Sequence, residues 1–138
     1  MNKEEELNRY MAVIEQYKEQ MSSLEMQISY VQAAILDYNK AKLTIEQISK
    51  TEKNSEILLP IGGNSFIYAK LSDPLSVLFD IGAGIITQKQ NNDAITKIDK
   101  KIENLEKSQE KIYNMIQNLQ NESTEISQKA QQLMSEEK

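Results

Sequence analysis

Two long stretches of this 138-residue chain carry apolar residues at alternating spacings of three and four, and they flank a centre that holds every glycine and proline. This spacing is typical of a helix face in a coiled coil, so it predicts helices over residues 5–50 and 90–135. The first repeat consists of Leu7, Tyr10, Ile14, Tyr17, Met21, Leu24, Ile28, Val31, Ile35, Tyr38, Lys42 and Ile45. The second repeat consists of Ile95, Ile98, Ile102, Leu105, Gln109, Ile112, Ile116, Leu119, Ser123, Ile126, Ala130 and Leu133.

The two repeats mirror each other, because Leu7 pairs with Leu133 and Val31 with Gln109 when the chain folds back near residue 70. A seven-residue repeat keeps one seam turned towards a partner helix, and here the partner lies in the same chain. The pattern therefore predicts a mainly α fold, a long antiparallel coiled-coil hairpin within a single domain over 1–138. An arm of about 45 residues would extend about 70 Å.

The centre, residues 56–88, predicts two β-hairpins. Short β-prone runs, 57–61 and 65–71, flank the turn residues 62–64, and a second pair of runs flanks the turn at 82–84. Two hairpins have too few strands to cover their own apolar faces, so we expect them to form part of an intersubunit β-barrel. The expected oligomer interface consists of Ile57, Leu59, Phe66, Tyr68, Leu75, Val77, Phe79, Ile81 and Ile85.

The composition argues against catalysis. The chain has no histidine and no cysteine, so the commonest general base and the usual zinc ligands are missing. We therefore expect no enzyme activity, no catalytic residue, no metal and no cofactor. Asp73, Asp80 and Asp93 lie beside turns, where we expect them to hydrogen-bond to their own backbone.

Charge and hydropathy exclude two further classes of partner. The formal net charge of -5 argues against a nucleic-acid partner, which needs a dense basic face. No apolar run approaches the roughly 18 residues that cross a bilayer, and the start of the chain does not read as a signal peptide. We expect no membrane partner and a cytoplasmic location.

Three central segments carry a family resemblance: Leu59–Phe66, Leu71–Pro74 and Val77–Gly84. They resemble the prefoldin family, in particular its archaeal alpha subunits. Asp80–Gly84 is its most specific part, and the likeness in architecture extends over the whole chain. A beta-type subunit has one hairpin, so the second hairpin here favours the alpha type. The chain departs from the alpha pattern at Ile85–Ile86, where an aromatic residue is often present.

The resemblance implies a chaperone, a hexamer of two alpha and four beta-type subunits whose coiled coils extend from a β-barrel body. Their tips would bind unfolded protein clients and pass them to a group II chaperonin, without ATP hydrolysis. Methionine adapts to varied apolar partners, which suits such a surface. The mirror register then assigns client binding at the tips to Leu7, Tyr10, Met11, Ile14, Ile126, Ala130, Leu133 and Met134.

Two alternatives to the hetero-hexamer remain open at this point. One is a prefoldin-like paralogue that assembles with itself into filaments and still acts as a chaperone. The other is a coiled-coil scaffold or adaptor that holds folded partners by its flank. The mass of the native complex separates the first alternative from the hetero-hexamer, and suppression of client aggregation separates both from the scaffold.

Overall fold

A computed structural model describes residues 2–136 of the chain. Two helices flank two β-hairpins, which confirms the predicted mainly α fold. Along the chain the elements are α1 (Lys3–Ile48), β1 (Glu56–Gly62), β2 (Ser65–Lys70), β3 (Ser76–Asp80), β4 (Ile86–Gln90) and α2 (Asn91–Ser135).

Helix α1 begins at a polar cap. The side-chain Oδ1 of Asn2 accepts a hydrogen bond of 2.8 Å from the backbone N–H of Glu5, which satisfies one of the free donors at the helix start. Glu4, Glu5 and Glu6 fill the first turn, where carboxylates interact favourably with the helix dipole. This start therefore lies where the sequence places polar and acidic residues, two residues earlier than predicted.

The chain divides into two compact units. The first unit contains residues up to Ile35 and from Asn104 onwards, and the second contains Leu36–Glu103. In the first unit α1 and α2 run antiparallel, since Leu24 lies beside Leu119 around one cavity and Gln32 Nε2 donates to the Tyr113 hydroxyl at 3.3 Å. Leu24, Ile28 and Ala130 are buried there, and the remaining seam residues of this unit are half-buried.

The second unit contains the other part of the seam and both hairpins. Ile45, Ile98 and Ile102 are buried, and Ile98 is only 1% exposed. The polar seam residue Lys42 forms an ion pair with Asp99, with 2.7 Å between Nζ and Oδ1. The side chains of the pair are 33% and 51% exposed, so the charge at this seam position stays partly hydrated.

The first hairpin pairs β1 with β2 in an antiparallel register that runs from Glu56 opposite Lys70 to Gly62 opposite Ser65. Its two-residue loop has Gly63 and Asn64 both at φ 58°, the left-handed pair that a type I′ turn requires. Ile61 has no partner across the ladder, so the strand bulges just before the turn.

The second hairpin pairs β3 with β4, from Ser76 opposite Gln90 to Asp80 opposite Ile86. Its turn holds three successive residues at positive φ, Gly82, Ala83 and Gly84, of which Ala83 alone carries a side chain. β3 is shorter than the predicted run, so Leu75 and Ile81 lie just outside it. β4 runs to Gln90 and α2 begins at the next residue.

The two hairpins form separate two-stranded sheets within the described residues. Two-stranded ribbons leave every outer edge with unpaired backbone groups, and they are marginally stable alone in water. The outer edges of both hairpins in the second unit therefore have no strand partner within the described residues.

Candidate tip and assembly surfaces

The predicted tip residues lie in the first unit, and most of them pack into the seam. Ala130 is buried, and the other seam members of the group are half-buried: Leu7, Tyr10, Ile14, Ile126 and Leu133. Met11 and Met134 lie outside the seam and are 60% and 59% exposed. Of the predicted tip residues, these two methionines offer the most surface to a partner.

A small cavity opens at this end of the first unit. It has a volume of about 130 Å³ and is lined by Lys3, Glu4, Leu7, Leu133 and Met134. Its apolar wall comes from the beginning of α1 and the end of α2, as the mirrored register predicts. The cavity offers space for an apolar group beside the exposed part of Met134.

Carboxylates surround the tyrosines of this region. The Tyr10 hydroxyl donates to Glu6 Oε1 at 3.2 Å, and the pKa of Tyr10 is raised, first by desolvation and then by Glu6. The pKa of Tyr17 is also raised, first by desolvation and then by Glu122 and Glu125. Both half-buried tyrosines of the seam in this region therefore have carboxylate neighbours.

The first hairpin exposes apolar side chains on both faces. Directly opposite residues share a face in an antiparallel ladder, so Ile57 and Leu59 lie on one face and Phe66 and Tyr68 on the other. Ile57 is half-buried, while Tyr68 is 79% exposed. Sequence reasoning missed three further exposed apolar residues, Leu58, Ile61 and Ile67. The unbroken apolar run of β1 was the available signal, because it predicts a strand covered on both sides.

The second hairpin has one face turned towards its own helices. Val77 and Phe79 are half-buried and line a cavity of about 500 Å³ together with Tyr38, Ile45 and Ile98. The other predicted interface residues of this hairpin, Leu75, Ile81 and Ile85, are exposed. Leu78 and Ile86, which the prediction left out, are more exposed still. Leu78 is therefore the more exposed side of β3, while Val77 and Phe79 are partly covered within the chain.

Two observations on the described part of the chain concern metal binding and membrane crossing. Within residues 2–136 no group of three or more acidic, histidine or cysteine side chains is placed to hold a metal ion. In the same range neither helix combines the length and the apolar character that a bilayer-crossing segment requires.

Two long helices joined by two separate β-hairpins with exposed apolar side chains define a coiled-coil class of protein. A family profile described as prefoldin subunit matches residues 17–136, so the chain belongs to the prefoldin family. Prefoldin subunits are chaperones, and the family implies assembly with other prefoldin subunits.

Several curated relatives are archaeal alpha subunits, which confirms the resemblance drawn from the central segments. The prefoldin subunit alpha of Archaeoglobus fulgidus is 25% identical over 128 residues, covering 93% of both chains. That of Methanopyrus kandleri is 30% identical over 105 residues, covering 76% of this chain and 67% of its own. A cryo-EM structure of filamentous prefoldin from Methanocaldococcus jannaschii superposes with a TM-score of 0.60 at 18% identity, covering 91% of this chain and 98% of that chain. This last likeness shows the shared fold.

Proposed function

We propose that this chain is an alpha-type chaperone subunit that assembles through its hairpins with four beta-type subunits per two copies of itself. The observation that supports assembly most directly is the exposure of apolar side chains on two sheets of only two strands each. Strand pairing between subunits would satisfy the open edges and cover these side chains together.

In the proposed mechanism the tips bind non-native polypeptides in the cytoplasm and pass them to a group II chaperonin without ATP hydrolysis. Met11 and Met134 provide exposed, flexible apolar surface, and the cavity beside Leu7 and Leu133 accepts an apolar group. Each contact is weak, so the grip depends on several tips acting on one client at once.

Removing the tips tests this mechanism. We expect a chain without residues 1–13 and 127–138 to assemble, because the hairpins and most of the seam remain. Its complex, built with partners whose tips are also shortened, should lose nearly all suppression of aggregation of a chemically unfolded client, measured by light scattering. Full protection by the correctly assembled complex would move client binding to another surface.

A milder variant separates the methionines from the helix ends. The double substitution Met11→Gln and Met134→Gln keeps helix propensity and length but removes the apolar contacts. The matched control is Met26→Gln, a methionine of the same unit that is exposed to the same extent, 59%, but lies away from the tip. We expect the double variant to suppress aggregation less than the wild type, and Met26→Gln to suppress it as well as the wild type.

Self-assembly into filaments is the second candidate. The filamentous prefoldin neighbour fits it, and the two apolar faces of the first hairpin supply complementary surfaces for repeated head-to-tail contacts. Mixing the purified chain with an archaeal beta-type subunit and measuring native mass distinguishes the candidates. A discrete hexamer supports the first, whereas species of growing mass from the chain alone support the second. A chain that assembles but fails to suppress aggregation would be a scaffold.

A further inference from the structure

Three lysines of the second unit lie close together beside the second hairpin. Lys89 is on β4, directly opposite Val77 and half-buried on the face turned towards the helices. Lys97 and Lys101 follow one helical turn apart on α2. The pKa of Lys97 is lowered, first by the charge of Lys89, then by desolvation, by a side-chain contact with Lys89 and by the charge of Lys101. We call these three residues the lysine cluster.

The lysine cluster shares a cavity with the Asp80 carboxylate but forms no ion pair with it. Between residues 2 and 136 the carboxylates form no ion pair with Lys89, Lys97 or Lys101, and Asp99 pairs with Lys42 instead. The chain as a whole carries a net charge of -5, so a local excess of positive charge is contrary to its composition. Holding like charges together is unfavourable unless an anion lies between them.

A cavity of about 620 Å³ adjoins the lysine cluster. Tyr38, Phe79 and Ile98 contribute apolar surface, and Lys97 and Lys101 contribute charge. Asp80 also lines the cavity, but its Oδ1 already accepts the backbone N–H of Gly82 at 2.9 Å. An apolar wall beside ammonium groups suits a carboxylate on a short aliphatic stem, because the stem covers apolar surface and the charge meets the lysines.

The surroundings of the cavity indicate where such a carboxylate comes from. Ile81 lines it, and Ile81, Ile85 and Ile86 are exposed along the adjacent turn and strand. Apolar side chains in this position are the ones that assembly would cover, and covering them desolvates the lysines next to them. In that environment a charge-assisted hydrogen bond is stronger than in water.

We propose that this cavity receives an aspartate or glutamate side chain of a neighbouring subunit when the chain assembles. The carboxylate pairs with Lys97 and Lys101, which line the cavity, and its removal from water fixes the orientation of the neighbour against the second hairpin. The inference rests on the proposed assembly and adds to it the chemistry of one contact. It assigns the lysine cluster a role in choosing partners, since a neighbour without an acidic residue here leaves the lysines unbalanced.

Zero-length carbodiimide cross-linking tests the contact in the assembled complex, because it joins an amine only to a carboxylate in direct contact. Isotope-labelled chain is assembled with unlabelled chain and with an archaeal beta-type subunit, cross-linked and digested for mass spectrometry. We expect a cross-link from Lys97 or Lys101 to an acidic residue of another subunit. Cross-links confined to Asp80 of the same chain, or none at the lysine cluster, would overturn the proposal.

Substitution provides the energetic test. We expect Lys97→Gln to weaken subunit association at least about tenfold at 50 mM salt and to flatten its salt dependence, measured by sedimentation. Lys97→Arg keeps the positive charge and should associate like the wild type. Lys111 is an exposed lysine of the first unit, and Lys111→Gln should leave association unchanged. Circular dichroism checks that each variant keeps its helices.

The outcomes distinguish this contact from assembly itself. If the wild-type chain stays monomeric alone and with the beta-type subunit, both the proposed assembly and the proposed contact are wrong. If Lys97→Gln assembles like the wild type at every salt concentration, the contact alone falls. If 10 mM inorganic phosphate protects the lysines from cross-linking but leaves assembly unchanged, the cavity binds a small anion instead of a neighbour's carboxylate. That result would also overturn the proposal.

Discussion

At the scale of single residues, the aspartates of the central segment act on their own backbone. Asp73 Oδ1 accepts the backbone N–H of Leu75 at 2.9 Å, and its Oδ2 accepts the hydroxyl of Ser76. Asp80 Oδ1 accepts the N–H of Gly82 at 2.9 Å. These bonds confirm the prediction made for both residues, and they shape the two ends of β3 as side-chain turns do in general.

The Asp73 contact has a measurable effect on ionisation. Hydrogen bonds from Ser76 and from the Leu75 N–H lower the pKa of Asp73 below its ordinary value of 3.8. A depressed carboxyl pKa stabilises the fold above pH 3.8, and this contribution is lost as the pH falls through the lower folded value. We expect Ser76→Ala to raise the pKa of Asp73, measured by carboxyl NMR titration. Ser72→Ala, in the same loop, is the control, and a shift of equal size there would contradict the assignment.

At the scale of the elements, the seam determines how α1 and α2 pack within each unit. Every predicted seam residue is buried or half-buried, including the polar Gln109, Ser123 and Lys42. Lys42 is accommodated through Asp99, which lies beside the seam. The pKa of Lys42 is raised, chiefly by this hydrogen bond with Asp99. A partly exposed pair of this kind contributes little to stability, so we attribute to it mainly a preference for this register over others.

Replacing Lys42 with leucine should therefore stabilise the coiled coil. Leucine would pack beside Ile45 and Ile98, gaining about 1 kcal/mol over the weak ion pair. We expect the thermal midpoint of Lys42→Leu to rise by a few degrees in scanning calorimetry at fixed protein concentration. Lys40→Leu adds the same group at an exposed position of the same helix and should change the midpoint little. A lower midpoint for Lys42→Leu would show that the ion pair dominates.

The seam could be predicted from sequence because its repeat is regular and mirrored, so that periodicity alone assigns each member. The partner of Lys42 could not, because Asp99 lies outside the repeat and periodicity does not select polar neighbours. The strands were predicted to within a few residues from their turn glycines. Which face of the second hairpin is the more exposed could not be predicted, since Val77 and Leu78 are similarly apolar. They differ only in burial in the folded chain, where Val77 is half-buried and Leu78 is 72% exposed. Client binding at Met11 and Met134 stays a prediction.

At the scale of the whole molecule, exposed apolar side chains are frequent in the two hairpins, where the proposed assembly would cover them. Val77 and Phe79 are partly covered by their own chain, so a charge there would disturb the subunit as well as its assembly. Leu78, by contrast, is 72% exposed and lies on the free face of the same strand. A substitution at Leu78 therefore separates assembly from folding.

We expect Leu78→Asp to keep the helical content of the subunit and to abolish its assembly. In the isolated chain the carboxylate stays in water, but in the complex it would be buried without a partner at a cost of several kcal/mol. Light scattering coupled to size exclusion reports the mass, and Asn114→Asp, on the exposed side of α2, is the matched control. A full-size complex of Leu78→Asp would place the subunit interface elsewhere.

The direct join between β4 and α2 ties the second hairpin to its helix. Gln90 ends the strand, Asn91 begins the helix, and Asn91 also donates to Leu75 O at 3.1 Å and to Pro74 O at 2.7 Å.

The base of the first hairpin is closed by backbone hydrogen bonds as well, because the Asn54 N–H donates to Leu71 O at 2.6 Å and the Leu71 N–H donates to Ser55 O at 2.9 Å. Each hairpin thus starts from a hydrogen-bonded base. In the proposed assembly we therefore expect an insertion or deletion at either base to change the direction in which that hairpin meets its neighbour.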